Sequence, residues 1–199
     1  MNRPMEQIPR GVWAIGSELA GVAETQSFLQ TAALSAAVTL RRPSGGAKIA
    51  LHSAKSLVQN ASFVAVHGHA DLALAAGAHA VIAGFRSLPI SVYRAKFPGL
   101  WLGASTHTQQ EIELALHQGA DFLIFGPIWS TPKKNGILEP RGIEQLRLAC
   151  SHQVPVIAIG GISHQAQAEA CIQVGAHGVA VLRAAKSAAQ MQDLVGAFA

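Results

Sequence analysis

Short apolar runs alternate with helix-like runs eight times along the chain's 199 residues. The strand-like runs fall at Val12–Ile15, Ala36–Leu40, Ser62–Val66, Ala80–Ala83, Leu100–Gly103, Asp121–Phe125, Val154–Ile159 and Gly178–Leu182. Each is short and nearly continuously apolar, the pattern of a parallel strand covered on both faces. Helical patterns follow at Val22–Leu34, Ala47–Leu57, Ala70–Ala76, Ser91–Lys96, Thr108–His117, Glu139–Ala149, His164–Val174 and Lys186–Phe198. A Gly-Ala pair recurs at Gly77-Ala78, Gly119-Ala120 and Gly175-Ala176, each time between a helical run and a strand. Glycine there supplies the left-handed conformation that ends a helix. The expectation is an α/β fold, a compact (β/α)₈ TIM barrel built as one domain over residues 1–199. An open doubly wound sheet is the competitor, but no GxGxxG follows an early strand.

Composition narrows the function classes. Half of the residues are hydrophobic and only 13% are charged, which suits a packed core and excludes a disordered chain. Cys150 and Cys171 are too few for a disulfide scaffold and read as free thiols in helices. No run of apolar residues is long enough to cross a membrane. Met1–Arg10 lacks the apolar core of a signal peptide, so the cytosol is the expected compartment. The net charge of +4 comes from scattered basic residues without interleaved aromatics, so nucleic acid is not an expected partner. The same excess suits a phosphorylated small ligand. Self-association into a homo-oligomer stays open.

In a barrel, ligands bind where the strands end. Polar residues and glycines gather there: Arg41, His67 and His69, Arg86, Ser105 and His107, Gly126, Gly160-Gly161 and Arg183. Gly160 and Gly161 let the backbone approach a phosphate and turn N–H groups toward it. Arg183 is placed to neutralise such a phosphate, or else is a solvated residue beside a helix. The segment 126–142 has no clean period and can fold over the pocket, where Thr131 and Lys134 would hold an anion. His67, His69 and His107 are the acid–base candidates, against the alternative of structural histidines. Zinc is not expected, since no Cys or carboxylate joins them at metal-like spacing. The three aspartates, Asp71, Asp121 and Asp193, are poorly placed for Mg²⁺ at the strand ends.

Several stretches taken in order resemble the thiamine phosphate synthase and thiazole tautomerase family of small barrels. They are Asp71-Leu72-Ala73 with Gly77-Ala78, Gly103-Ala104-Ser105-Thr106-His107, and Gly119-Ala120-Asp121 with Phe125-Gly126-Pro127-Ile128. Thr131, Lys134, Gly136, Arg141-Gly142, Val156 to Ile162 and Gly175 to Val181 complete the match. The resemblance implies that Gly160 and Gly161 bind a thiazole phosphate. It implies that Ser105, Thr131 and Lys134 contact pyrophosphate or substrate, and that Arg41 is the arginine of a Gln-x-Arg-x-Lys motif. The Gln and Lys of that motif are Thr39 and Pro43 here. The family's two metal aspartates fall on Gly68 and Ser87, and a threonine of the loop falls on Lys133. A histidine that tautomerases use falls on Pro127, as in synthases.

The resulting expectation is a metal-free isomerisation of a thiazole carboxylate phosphate. Gly160 and Gly161 would hold the phosphate, Lys134 and Arg41 would meet further negative charge, and His107 would be the first acid–base candidate. Two alternatives stand beside it. One is synthase activity, joining a pyrimidine pyrophosphate to a thiazole phosphate with Mg²⁺ as cofactor. The other is binding of a phosphorylated ligand without turnover.

Overall fold

The computed structural model describes residues 7–41, 45–131 and 138–199. Eight parallel strands close into a barrel in the order of the sequence. The first half runs β1 (Gly11–Ser17), α1 (Val22–Thr31), β2 (Ala37–Arg41), α2 (Ala47–Asn60), β3 (Val64–His67), α3 (Ala70–Ala76), β4 (Ala80–Ala83) and α4 (Ile90–Lys96). The second runs β5 (Trp101–Thr106), α5 (Gln109–His117), β6 (Phe122–Phe125), α6 (Gly142–Cys150), β7 (Val156–Ile159), α7 (Gln165–Gln173), β8 (Gly178–Val181) and α8 (Ala188–Gly196). The ring shuts where β1 pairs with β8, Gly11 opposite Gly178 and Trp13 opposite Ala180. The (β/α)₈ expectation holds, and the open sheet is excluded.

Alternation along each strand divides the apolar residues into two cores. One fills the lumen: Trp13, Ile15, Phe63, Ala65, Ile82, Trp101, Phe122, Ile124 and Ile157 among others. The other lies between the strands and the helices. The chain has few aromatics, yet it spends several on the lumen. The Trp13 ring sits 5.4 Å from both Phe63 and Phe122, and its indole N–H donates to the Pro9 carbonyl at 3.0 Å. Gly103 leaves the space that Phe122 fills, since a Cβ there would lie 2.4 Å from that ring.

The repeated Gly-Ala pairs do the same job three times. Gly77 caps α3 in the left-handed region, with φ 76°. The residue after each pair then donates its amide to the strand before: His79 to Val64, Asp121 to Leu102 and His177 to Val156, at 2.7–2.9 Å. His79 and His177 are thereby structural. The His79 ring stacks on Phe63 and accepts from the Val64 amide, and the His177 ring bonds the Ile8 carbonyl.

Some boundaries differ from the sequence expectation. α1 stops at Thr31, whose hydroxyl donates to the Ala185 carbonyl, and Leu34 lies exposed beyond it. β5 runs on to Thr106, which brings Ser105 into a strand. α6 begins at Gly142, because the Arg141 and Gly142 amides donate back to Pro127 and Ile128. Ser187 caps α8, leaving Ala184–Lys186 as a separate 3₁₀ turn. The Cys150 and Cys171 thiols are pushed up by burial to about 11 and about 12, which leaves them protonated and unreactive near neutral pH. Among the described residues, no helix is long and apolar enough to cross a membrane.

Candidate functional site

The inward face of each strand leads up to the C-terminal mouth of the barrel. On β2 the phase that puts Ala37 in the lumen also turns Thr39 and Arg41 inward. On β3 it turns His67 inward, two residues beyond Ala65. The structure joins these three. The His67 ring Nε2 hydrogen-bonds the Thr39 hydroxyl at 3.1 Å, and Thr39 is buried. Burial first, and then the Arg41 guanidinium, hold the His67 pKa down from 6.5 to about 3. Near neutral pH, His67 is an uncharged hydrogen-bonding group under a cation.

A second group forms across β5, β6 and β7. Ser105 follows Trp101 and Gly103 on the inward face of β5. His107, just past β5, places ring Nδ1 against the Gly126 carbonyl. A carbonyl only accepts, so Nδ1 carries a proton in this contact. The His107 amide donates to the Glu111 carboxylate at 2.5 Å, so that carboxylate braces the loop.

Beyond the strands, the segment after β6 zips onto the end of β7. The Ile128 amide donates to the Ile159 carbonyl at 2.9 Å, and the Trp129 amide donates to the Gly160 carbonyl at 3.0 Å. Glycine is required at three places in this seam. A Cβ on Gly126 would lie 1.9 Å from the Ile159 carbonyl oxygen, and one on Gly160 would lie 2.6 Å from Pro127 Cα. One on Gly161 would lie 2.5 Å from Trp129 Cβ. Gly160 and Gly161 also have φ of 105° and 74°. In a trans peptide the N–H points opposite to the carbonyl. The carbonyls of Ile159 and Gly160 face the β6 segment, so the N–H groups of Gly160 and Gly161 point away from it. Arg183, exposed, opens the 3₁₀ turn after β8.

The two groups face one another. In a ring of eight strands taken in order, β3 stands opposite β7. Arg41 and His67 are therefore across the mouth from the glycine pair, with Ser105 and His107 on the rim between. His69 is apart from both: it is exposed and precedes α3 without a side-chain capping bond. Thr131 ends the described part of its loop, and Lys134 lies outside the described residues. Sequence reasoning missed the parts played by Thr39 and Gly126. Thr39 carried a signal, because it stands two residues before Arg41 and shares its face. Arg141 belongs here too, its Nε buried without a partner among the described residues, below the seam its amide helps close.

The β3–α3 and β4–α4 loops meet beside the mouth in a cavity of about 410 Å³, lined by Gly68, Asp71, Arg86, Ser87, Tyr93 and neighbours. The Tyr93 hydroxyl donates to the Gly68 carbonyl at 2.9 Å. The Gly84 amide donates to the Ser87 hydroxyl, and the Ser87 amide to the Gly84 carbonyl. Among the described residues, no cluster of three or more His, Cys, Asp or Glu could hold a metal ion.

A family model described as thiamine monophosphate synthase matches residues 22–185. The thiamine-phosphate synthase of Gloeobacter violaceus is 39% identical over 143 residues, 70% of this chain and 41% of that protein. The thiamine-phosphate synthase of Chlorobium luteolum is 34% identical over 162 residues, 78% of this chain and 76% of that protein. The chain spans about half the length of the first curated relatives it matches. Among solved structures, a thiamine phosphate pyrophosphorylase from Pyrococcus furiosus superposes with a TM-score of 0.79 at 25% identity, covering 96% of this chain and 97% of that one. These relatives carry synthase or pyrophosphorylase names. They correct the expectation that isomerisation is favoured over transfer. The physical reason is that the seam around Gly126, Gly160 and Gly161 is intact while glycine and serine stand at Gly68 and Ser87, so the missing carboxylates alone do not separate the two branches.

Proposed function

Because the chain belongs to the thiamine monophosphate synthase family, we propose that its mouth binds a thiazole phosphate, the phosphate seated on Gly160 and Gly161 with Arg183 beside it. The observation that carries this reading is the seam. Two glycines are pressed against Pro127 and Trp129 with their N–H groups turned away from that contact. Paired N–H groups suit a phosphate, and the ends of the last two strands are its usual seat in this fold. The ring would then extend across the mouth, past Ser105 and His107, toward Arg41 and the neutral His67.

Within the family the synthase branch is the reading we adopt: transfer of a pyrimidine group from its pyrophosphate onto the thiazole phosphate. Arg41 would meet the pyrophosphate charge, and His107 Nε2 would accept a hydrogen bond or a proton. The family implies Mg²⁺, which would shield that pyrophosphate, but the donor set here does not fit it. Gly68 and Ser87 stand at the two metal positions. Asp71 is the one carboxylate lining that cavity among the described residues. No step is therefore routed through the ion. That donor set favours a second reading, binding without turnover.

Calorimetry with thiazole phosphate tests the first claim, and an assay with both substrates separates the two readings. Binding that Gly161→Ala weakens, together with thiamine phosphate as product, is expected of the synthase. Binding without product selects the second reading. No binding sinks both.

A further inference from the structure

Gly68 and Ser87 come from different loops, yet a Cβ on Gly68 would lie 3.3 Å from the Ser87 hydroxyl. Two carboxylates at these positions would share one space and could grip a divalent cation between them. The space is closed to that use by local bonding. The Gly68 carbonyl is taken by the Tyr93 hydroxyl, and the Ser87 hydroxyl by the Gly84 amide. Charge points the same way. Arg86 lines the cavity and lies 5.3 Å over the Phe85 ring. With Asp71 it leaves the described wall with no net negative charge, and a hard dication needs oxygen anions to replace its water.

We infer that the described residues of this mouth and of the cavity beside it form no divalent-cation site, and that the anionic ligand is taken on protein groups alone. The inference builds on the phosphate-binding reading above. It goes beyond that reading in tracing the loss of the cation site to the self-bonded loops at Gly68 and Ser87, with Arg86 on the same wall. It also makes that site restorable. Ser87→Asp adds a carboxylate to the cavity that Asp71 also lines, and Gly68→Asp adds a third. Gly68 has φ 73°, a conformation that aspartate tolerates better than most residues.

The test titrates wild type, Ser87→Asp and the Gly68→Asp/Ser87→Asp double variant with Mn²⁺, reading free ion by electron paramagnetic resonance. Wild type is expected to bind none up to millimolar Mn²⁺, Ser87→Asp to bind weakly, and the double variant about tenfold more tightly than Ser87→Asp. If the double variant does not fold by circular dichroism, Ser87→Asp alone carries the comparison. One stoichiometric Mn²⁺ on wild type, or no gain in a folded carboxylate variant, overturns the inference. In parallel, thiazole phosphate is titrated in EDTA and in Mg²⁺. Equal affinity is expected, and a requirement for Mg²⁺ overturns the inference. Absence of binding in both buffers defeats the phosphate-binding reading instead, while the Mn²⁺ result still decides the cation question.

Discussion

Gly126 and Ile159 are in such close contact that no side chain fits between them: a Cβ on Gly126 would lie 1.9 Å from the Ile159 carbonyl oxygen. That oxygen already accepts from the Ile128 amide. Gly126→Ala must therefore push β6 and β7 apart at the mouth. The expected cost is about 3 kcal/mol of stability, the upper range for overpacking. Urea unfolding of wild type and variant measures it. A loss near zero would mean that the seam is not the rigid contact described here.

Gly161 and Gly77 form a natural control pair. Their φ values are 74° and 76°, but Gly161 is crowded by Trp129 and Gly77 has nothing within 4 Å of a would-be Cβ. Gly77→Ala is expected to cost about 1 kcal/mol, for left-handed strain alone, and to leave ligand affinity unchanged. Gly161→Ala adds crowding of about 1–3 kcal/mol. It should also weaken thiazole phosphate binding by about tenfold, the equivalent of about 1.4 kcal/mol. Denaturation and calorimetry on both variants separate strain from ligand contact.

The His67 ring gives the protein a defined acid response. Its folded pKa of about 3 lies below the ordinary 6.5. Between these values the unfolded chain binds the extra proton, so stability rises with pH across the window. The contribution is fully present above about 6.5 and is lost as pH falls toward 3. His67→Gln should flatten that part of the stability–pH curve. In proton NMR the His67 ring should show no inflection near neutral pH. An inflection near 6.5 would refute the burial argument.

Asp121 holds the opposite end of the barrel. Its carboxylate accepts from Arg94 and from the Leu102 amide, each at 2.7 Å. Arg94 also donates to the Gly119 carbonyl. Asp121→Ala is expected to cost about 1.5–3 kcal/mol, the range for hydrogen bonds to charged groups. Thiazole phosphate affinity should be unchanged. A thermal melt and a binding isotherm read the two effects, and lost affinity in a fully folded variant would contradict the separation of scaffold from mouth.

Much of this architecture was legible in the sequence, for a physical reason. Parallel strands buried on both faces leave apolar runs such as Val156–Ile159, and the Gly-Ala pairs mark where each helix turns back. The gathering of polar residues at strand ends was legible as well. What the sequence did not disclose were contacts between residues far apart in it. Gly126 reads as an ordinary turn glycine until Ile159 is placed against it. His107 reads as a candidate base, without showing which nitrogen Gly126 engages. His67 reads as a proton carrier because its partner Thr39, 28 residues away, is visible only in the folded barrel.

The pairing of β1 with β8 has a consequence for how such a chain is made. Trp13 is among the earliest described residues to leave a ribosome, and its neighbour across the closing seam, Ala180, is among the last. Until the final strand emerges, β1 has β2 to pair with on one edge and no partner on the other. The aromatic plug can begin to gather around Trp13 and Phe63, and later Phe122, in a sheet that is still an open ribbon with two unpaired edges. Closure is then a late, long-range step, of the kind that slows folding and lengthens the exposure of sticky edges. For this barrel the vulnerable interval ends when Gly178 meets Gly11.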